Sequence, residues 1–407
     1  MENASDVAVV GAGPCGSFTA LHLAKRGVNV TVFEEHNEIG VPCHCAGHLS
    51  ITGLKRLGLY PLPEGIVENT FKAATFHSPH GKQFTVRSKS PVTCAVNRAL
   101  FDQYLAQKAE KAGARLLPGS RVDSLIIENG FVKGVMVSQK GGAIRWNAKI
   151  VADAEGISAR LSRQAGLPPP NRNMMLDGIE AEVEGVKNVE EDAVEIFLGR
   201  EYAPGFFAWL IPKGGGKAKV GLAAEKANPK ELLGKLMHKH PEASKKLGRA
   251  RILQTAYHPV TLGGLIPKAY GNGFLAVGDV ASQVKPTTGG GVALGLTCAE
   301  IAARVAFWAL HRNDVSSNSL REYPRRCRAV LGFEWRIMLK ARKMLDALSD
   351  QRIDDVIGFC TRYGIDRALD GVEDIDLQGR SLLGLLPHPV ALAFILYLLY
   401  VRIPTKT

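Results

Sequence analysis

The sequence has few cysteines, no signal-peptide pattern and no long low-complexity tract. Its seven cysteines are an odd number and its first residues, Met1–Asp6, are polar, so we expect a non-secreted protein whose thiols serve packing or chemistry. Hydrophobic residues make up 46% of the 407 residues and charged residues 22%, which excludes a disordered or fibrous chain. This length predicts a globular protein of two or three domains.

The apolar run near the C-terminal end lacks the length to cross a membrane by itself. The longest run, 390–401, has 12 residues, follows Pro387 and Pro389, and precedes Arg402 and Lys406. A membrane-spanning helix needs about 20 apolar residues. We therefore expect an interfacial or monotopic anchor with basic flanks, and a buried helix or a dimer element is the alternative.

Acidic residues are too few to balance the basic ones, and the net charge is +12. Such a charge suits a partner that carries phosphates, such as a nucleic acid, an anionic lipid or a phosphorylated substrate. The stretch 321–343 holds eight basic residues against Glu322 and Glu334. It is either an anion-binding surface or the solvated face of a helix.

The first 34 residues have the pattern of a dinucleotide-binding βαβ unit. An apolar strand over 7–10 leads into Gly-Ala-Gly-Pro-Cys-Gly, followed by a helix over about 17–26, a second strand and an acid. The glycines permit a tight turn and close approach to a pyrophosphate, and the acid can bind ribose hydroxyls, which favours FAD or NAD over NADP. The predicted cofactor-binding residues here are Gly11, Gly13, Pro14, Cys15, Gly16, Glu34 and Glu35.

A second glycine-rich segment follows the apolar run 274–277 and precedes an Ala-rich helix over about 290–310. It offers a carboxylate for a ribityl hydroxyl and the N–H groups of a helix N-terminus, which stabilise negative charge on a reduced flavin. This segment points to FAD. The predicted cofactor-binding residues here are Gly278, Asp279, Pro286, Gly289, Gly290, Gly291 and Val292.

The segment GDVASQVKPTTGGG resembles the second flavin motif of the geranylgeranyl reductase family, flavoproteins of the p-hydroxybenzoate hydroxylase fold group. The resemblance covers about residues 6–310 and is greatest to the archaeal digeranylgeranylglycerophospholipid reductases. It implies an α/β fold with a Rossmann-type FAD-binding domain, a β-sheet substrate domain and a helical C-terminal region. It also implies flavin contacts for Cys45, Ala46 and Gly47 in PCHCAGHLS, for Arg98 in VNRALFD, for Val122, and for Asp153 in VADAEGISARLSR.

The resemblance divides the chain into three predicted parts. The FAD-binding domain is discontinuous and takes 1–60, 92–170 and 265–310. The substrate-binding domain takes 61–91 and 171–264. The remainder, 311–407, is the helical region with the apolar membrane-associating tail.

One predicted strand resembles the family's substrate signature. Phe207, Trp209 and Ile211 alternate along it and would form one wall for a long hydrocarbon, and Pro212 and Gly221 complete the predicted substrate-binding set. Ile211 and Ala223 depart from the family's Phe and Gly. Ordinary sheet core is the alternative interpretation.

The segment 43–48 holds two cysteines and two histidines, but no second ligand pair accompanies it, so we predict no metal site. Packing beside the flavin is the preferred interpretation. Cys45 is also our candidate catalytic residue, as a proton donor or redox thiol.

The resemblance implies an FAD-dependent reductase that saturates C=C bonds in geranylgeranyl chains of membrane ether lipids, with hydride from flavin N5. The electron donor is left open between a reduced ferredoxin and NAD(P)H. The segment Ala154-Glu155 departs from the pattern with which flavin hydroxylases dock NADPH. We expect a peripheral or monotopic protein on the cytoplasmic face of the membrane and no nucleic-acid partner. The alternatives are an FAD-dependent monooxygenase or halogenase on a hydrophobic substrate, a quinone reductase, and an inactive flavin- or lipid-binding scaffold.

Overall fold

A computed structural model describes residues 3–139, 141–365, 374–385 and 397. The apolar run 390–401, which carries the predicted anchor, lies outside the described residues except for Tyr397. The ring of Tyr397 stacks on Phe359, with 4.3 Å between centroids.

Within the described residues the strands and helices follow one another along the chain with short connections. The strands are β1 Ala4–Val10, β2 Val30–Phe33, β3 His48–Ser50, β4 Val67–Phe71, β5 Ala73–His77, β6 Gln83–Arg87, β7 Thr93–Val96, β8 Arg115–Leu117, β9 Arg121–Glu128, β10 Phe131–Gln139, β11 Gly142–Asp153, β12 Met175–Glu184, β13 Ala193–Leu198, β14 Phe207–Gly214, β15 Lys217–Ala224, β16 Arg251–Thr261, β17 Tyr270–Gly271 and β18 Phe274–Ala276. The helices are α1 Pro14–Ala24, α2 Ile51–Arg56, α3 Arg98–Lys111, α4 Arg160–Gln164, α5 Pro229–Lys239, α6 Ala243–Leu247, α7 Val292–His311, α8 Ser317–Leu320, α9 Glu322–Asp346, α10 Asp350–Tyr363 and α11 Gln378–Leu385.

The chain forms two compact units. The first contains Met1–Cys43, Arg98–Met174 and Thr261–Trp335, and the second contains His44–Asn97, Met175–Val260 and the described residues from Arg336 onward. This division differs most from the predicted domain boundaries in two places, and elsewhere the boundaries shift by six residues or fewer. Residues 44–60 fall in the second unit because β3 pairs with β7, and the predicted C-terminal region 311–407 is divided between the two units within α9.

The first unit is built on a sheet with the strand order β17-β18-β11-β1-β2-β8, and β10 and β9 extend it beside β11. The neighbours from β18 to β8 run parallel, as in nucleotide-binding folds. The sequence predicts two strands, 144–148 and 150–152, where the structure has the single strand β11. Its first half pairs antiparallel with β10 and its second half pairs parallel with β1, so one continuous strand serves both partners.

Helix α1 packs on this sheet and α7 packs on α1, and both helices start at predicted glycine motifs. Helix α1 begins at Pro14, three residues before the predicted start, because proline fits the first helical position, where no N–H bond is needed. Among the described residues, α7 is the one helix whose length and apolar composition would allow it to cross a membrane. Most of it is buried inside the protein, and core helices pass the same test.

The second unit contains a seven-stranded sheet with the order β16-β12-β15-β14-β13-β5-β6 and a three-stranded sheet with the order β3-β7-β4. The strand-like runs on either side of His80-Gly81 predict a hairpin, and the structure confirms it, since β5 and β6 pair antiparallel there. One face of the large sheet packs against α5 and α6 through a hydrophobic core that includes Phe197, Leu210 and Leu236. The opposite face carries Phe207, Trp209 and Ile211 of the predicted substrate-binding set, which alternate along β14 with Ala208 and Leu210 of that core.

Candidate functional site

Four strands of the first unit end at one edge of its sheet, and each end carries predicted cofactor-binding residues. The ends are joined by backbone hydrogen bonds: the N–H of Gly11 donates to the carbonyl of Phe33 at 2.8 Å, and the N–H of Val277 donates to that of Asp153 at 2.9 Å. Carboxyl ends of parallel strands are where doubly wound folds bind their ligands. The structure therefore brings the first motif, Asp153 and the start of the second motif together.

The glycines of the first motif differ in what surrounds them. A Cβ on Gly16 would lie 1.9 Å from the carbonyl oxygen of Gly11, and a Cβ on Gly11 would lie 2.5 Å from that of Ala154. Gly11 also has a φ of +92°, which favours glycine. A Cβ on Gly13 would meet nothing within 4 Å. Gly11 and Gly16 are therefore needed by the fold itself, whereas Gly13 leaves an open surface at the start of α1.

Glu34 is held in place at the end of β2. Its carboxylate accepts hydrogen bonds from the N–H of Ala12 at 2.8 Å and from that of His36 at 3.0 Å, and it pairs with His36 Nδ1 at 2.7 Å. This fixes the carboxylate beside the glycine turn, where a dinucleotide presents its ribose hydroxyls. Glu35 is about half exposed and lies 3.9 Å from Arg121 Nε.

Cys15 connects the two glycine motifs through its side chain. Its Sγ would be 2.9 Å from a Cβ on Gly278 and 2.6 Å from one on Gly295, so both glycines make room for the sulfur. Burial, with a contribution from the charge of Asp279, raises the pKa of Cys15 well above its ordinary value. Cys15 is therefore a neutral packing thiol that holds α1, α7 and the second motif together.

The second motif forms a compact loop before α7. The N–H of Gly289 donates to the carbonyl of Lys285 at 2.8 Å, the N–H of Lys285 donates to that of Gly290 at 3.1 Å, and the intervening Pro286 closes the turn. Gly291 precedes the first residue of α7, Val292, and a Cβ on it would lie 3.0 Å from Asp279 Oδ1. The N-terminal N–H groups of a 20-residue helix thus lie beside a carboxylate, as the sequence predicts.

Buried side chains that the sequence analysis missed support this loop. Gln283 accepts from the N–H of Gly278 at 2.8 Å and donates to the hydroxyl of Tyr323 at 2.6 Å. Trp335 Nε1 donates to the carbonyl of Val284 at 3.0 Å. Tyr323 and Trp335 lie on α9, far along the chain in a stretch notable for its arginines, so no local signal pointed to them.

Arg98, Asp153 and Val122 are also placed in the first unit. Arg98 and Asp102 form a buried ion pair at 3.0 Å, and burial raises the pKa of Asp102 although Arg98 lowers it. Asp153 is fully buried and accepts from Ser162 Oγ at 2.7 Å. Burial, with the charge of Glu155 adding to it, raises the pKa of Asp153 to about 7.

Val122 is buried in β9, and its carbonyl accepts from Arg160 Nη2 at 2.6 Å. The flavin contacts of Val122, Arg98, Asp153 and Glu35 stay predictions, as do those of Glu34, of the segment 45–47 and of the two glycine motifs.

Comparison with known proteins decides the family. Residues 4–332 match the FAD binding domain family. The chain is 34% identical to digeranylgeranylglycerophospholipid reductase 2 of Methanopyrus kandleri, with 90% of this chain and 93% of that protein covered. It is also 34% identical to the digeranylgeranylglycerophospholipid reductase of Methanocaldococcus jannaschii, with 90% and 92% covered.

The chain belongs to the digeranylgeranylglycerophospholipid reductase family. The predicted family, fold class and FAD cofactor are thereby confirmed. The residues present fit the cofactor. The surface at Gly13 is open for a pyrophosphate, and the carboxylate of Glu34 lies beside the glycine turn, where it can bind the ribose hydroxyls.

Solved structures agree with this assignment. A geranylgeranyl bacteriochlorophyll reductase-like protein from Thermoplasma acidophilum superposes with a TM-score of 0.86 at 26% identity, with 97% of this chain and 99% of that chain covered. A myxobacterial chondrochloren halogenase, CndH, superposes with a TM-score of 0.69 at 20% identity, with 100% and 99% covered, and shares the fold alone.

The predicted substrate face lies in the second unit on β14. Trp209 packs over Gly221, where a Cβ would lie 2.5 Å from the Cζ2 of the indole, and Phe207 meets Trp209 edge-on at 6.1 Å. Ile211 is buried against Phe71 in a small hydrophobic cluster that also contacts Trp209. Alternation along the strand places Pro212 on the opposite face, away from this wall. The sheet thus has an aromatic and aliphatic face centred on Trp209.

The segment 45–47 also lies in the second unit, next to charges that the sequence analysis missed. The carbonyl of Ala46 accepts from Lys219 Nζ at 3.2 Å, and that of Gly47 accepts from the N–H of Val96 at 2.9 Å. Lys219 is almost fully buried and lies 3.7 Å from Glu68, whose other oxygen lies 2.9 Å from Lys213. A charged network therefore fixes the backbone beside Cys45.

Cys45 is partly exposed, which suits the role predicted for it. In the described part of the chain, no group of three or more His, Cys, Asp or Glu side chains is arranged to hold a metal ion.

Proposed function

We propose that this chain is an FAD-dependent reductase that saturates the C=C bonds of geranylgeranyl chains in membrane ether lipids or their precursors. The observation that carries the proposal is similarity over about nine-tenths of the chain to proteins named for the reduction of digeranylgeranyl glycerophospholipids. The apolar face formed by Phe207, Trp209 and Ile211 supports it, because a polyprenyl chain needs an extended hydrocarbon wall.

Saturating one double bond requires a hydride on one carbon and a proton on the other, and FAD supplies the hydride from N5 when it is bound and reduced. The two electrons come from reduced ferredoxin, with a proton from solvent completing the hydride equivalent, or from a reduced nicotinamide as a hydride. The proton for the other alkene carbon comes from water through a side chain. Cys45 is the proton donor in this proposal. The chain itself must orient the alkene and exclude water from it, which its apolar strand face is suited to do.

We also propose that the protein works at the cytoplasmic face of the membrane as a peripheral or monotopic protein. The net charge of +12 supports attraction to anionic headgroups, and a substrate with two C20 chains resides in the bilayer.

The test is mass spectrometry of total lipids from a bacterial host that makes unsaturated geranylgeranyl ether lipids, with and without this chain and a ferredoxin. Stepwise gains of two mass units for each double bond are expected. Gains of sixteen would replace reduction with oxygenation, and unchanged lipids in the presence of FAD-loaded protein and a reduced ferredoxin would count against this substrate.

The matched control is Gly13→Asp. Its side chain has room in the protein, but it places a negative charge where the pyrophosphate must approach. Lipid saturation that persists in this variant would argue against the flavin as the source of hydride.

A further inference from the structure

The first unit has a basic cavity that the proposed reaction does not use. It measures about 270 Å³ and lies between the last turns of α7 and the segment that leads through α8 into α9. Its lining includes three arginines, Arg304, Arg312 and Arg326, together with Trp308, Ser319 and Glu322. Arg304 lies about three helical turns, or roughly 18 Å, from the N-terminus of α7. The cavity is therefore separate from the glycine loop of the second motif.

Helix periodicity brings these side chains to one place. Arg304, Trp308 and Arg312 are spaced by four residues at the end of α7, so they share one face of the helix. On the other side, Glu322 and Arg326 have the same spacing on α9 and share a face. Two helix faces that each carry guanidinium groups thus line a single recess.

The positive charges in the cavity exceed the negative ones. Glu322 is the acidic residue in the lining, and its carboxylate is shared between Arg326 at 2.9 Å and Arg325 at 3.3 Å. Arg304 Nε is buried and has no hydrogen-bond partner among the residues that the structure describes. A buried donor without an acceptor costs free energy, and guanidinium groups match the oxygens of a phosphate in geometry and charge.

Trp308 lies at the edge of this cavity and suits that edge to contact with a partner that is both apolar and anionic. It is 46% exposed, and the guanidinium of Arg312 lies over its ring at 6.0 Å. Tryptophan with arginine is a combination found where a protein meets both apolar and anionic groups.

We propose that this cavity binds a phosphate group, with Arg304, Arg312 and Arg326 as its ligands. This phosphate site gives a function to one residue of the basic stretch 321–343, because that stretch contributes Arg326. The phosphate belongs either to a lipid headgroup or to a soluble phosphate compound, and the experiment separates these two sources.

The experiment uses the full-length, FAD-loaded protein with two probes. Inorganic phosphate is titrated by calorimetry, and co-sedimentation is measured with vesicles of phosphatidylcholine with and without phosphatidylglycerol. The test variant is R304Q/R312Q. The control is R325Q, which removes the same kind of charge from an 81% exposed side chain next to Arg326 in sequence and outside the cavity.

We expect at least a tenfold weaker binding of one probe by R304Q/R312Q and little change in R325Q. Loss of phosphate binding would identify a soluble ligand, and loss of phosphatidylglycerol-dependent sedimentation alone would identify a lipid headgroup. The proposal is overturned if the wild type binds neither probe, or if R325Q loses as much binding as R304Q/R312Q.

Retention of FAD and of flavin reduction in each variant shows that the fold is intact. If R304Q/R312Q does not fold, the single variant R312Q at an exposed position is used in its place, with the same criteria. Because reductase turnover is not the readout, failure of this proposal is distinguishable from failure of the proposed function.

Discussion

Gly16 and Gly13 lie three residues apart in the same motif, yet replacing each with alanine should affect a different property. Gly16→Ala should destabilise the fold, whereas Gly13→Ala should weaken FAD binding. The Cβ of Gly16→Ala would lie 1.9 Å from the backbone oxygen of Gly11, more than an ångström closer than real Cβ atoms approach. The contact is with backbone of the turn, so α1 must move away from the sheet. Gly13 has a φ of −64° and an open surface, and it accepts a methyl group without strain.

The magnitudes follow from these surroundings. Overpacking a tight site costs about 1–3 kcal/mol and occasionally more, so we expect Gly16→Ala to lower the free energy of unfolding of the apoprotein by about 3 kcal/mol. In Gly13→Ala a small loss in helix capping is offset by the lower entropy of the unfolded chain. The free energy of unfolding should therefore change by no more than about 0.5 kcal/mol. The methyl group at position 13 would instead obstruct the pyrophosphate and weaken FAD binding at least tenfold, or about 1.4 kcal/mol.

Urea unfolding of the apoprotein, followed by tryptophan fluorescence, measures the free energy of unfolding. Quenching of flavin fluorescence on binding measures the affinity for FAD. An apoprotein of Gly16→Ala as stable as the wild type would refute the steric argument. Wild-type FAD affinity in Gly13→Ala would show that the cofactor does not approach the open surface at the start of α1.

Three further predictions concern the substrate face, the buried acid and the candidate proton donor. Gly221→Ala should lower the free energy of unfolding by about 2 kcal/mol and slow lipid reduction, because its Cβ would meet the indole of Trp209; Gly234→Ala, at a helical position with open space, is the matched control in urea unfolding and turnover assays. Asp153 has a folded pKa of about 7, above its ordinary 3.8, so apoprotein stability should fall as pH rises from about 4 to 7, and Asp153→Asn should flatten that decline in urea titrations. Cys45→Ser should retain FAD but slow proton delivery to the alkene; full reductase turnover in this variant would count against Cys45 as the donor.

The local structure of the glycine motifs was largely predictable because its signals are local. Glycines and Glu34 occur at spacings that only a strand, a turn and a helix in succession explain, and the structure places them at one sheet edge. The packing of Cys15 against Gly278 and Gly295 was not predictable, because those residues are more than 260 positions away in the chain. Long-range contacts of this kind leave no periodic signal in a single sequence.

The charged network near Cys45 escaped prediction for a different reason. Lys219 alternates with apolar residues, which resembles the solvent-facing side of a strand, and Lys213 precedes three glycines at the end of a strand, yet both lysines are largely buried. They pair with Glu68, which lies on β4 of a different sheet. Buried charges persist only when they are paired. The burial of either lysine could therefore be predicted only if its pairing with Glu68 across the two sheets was already known.

The departure at Ala154-Glu155 from the flavin hydroxylase pattern has a structural reason. Glu155 Oε1 accepts from the N–H of Leu161 at 2.6 Å, in the first turn of α4, and its other oxygen lies 3.7 Å from Arg160. Arg160 in turn donates to the carbonyl of Val122 on β9. The acid therefore ties α4 to the sheet and also adds to the field that raises the pKa of Asp153. Because its charge is satisfied within the fold, Glu155 serves the structure of the cofactor domain.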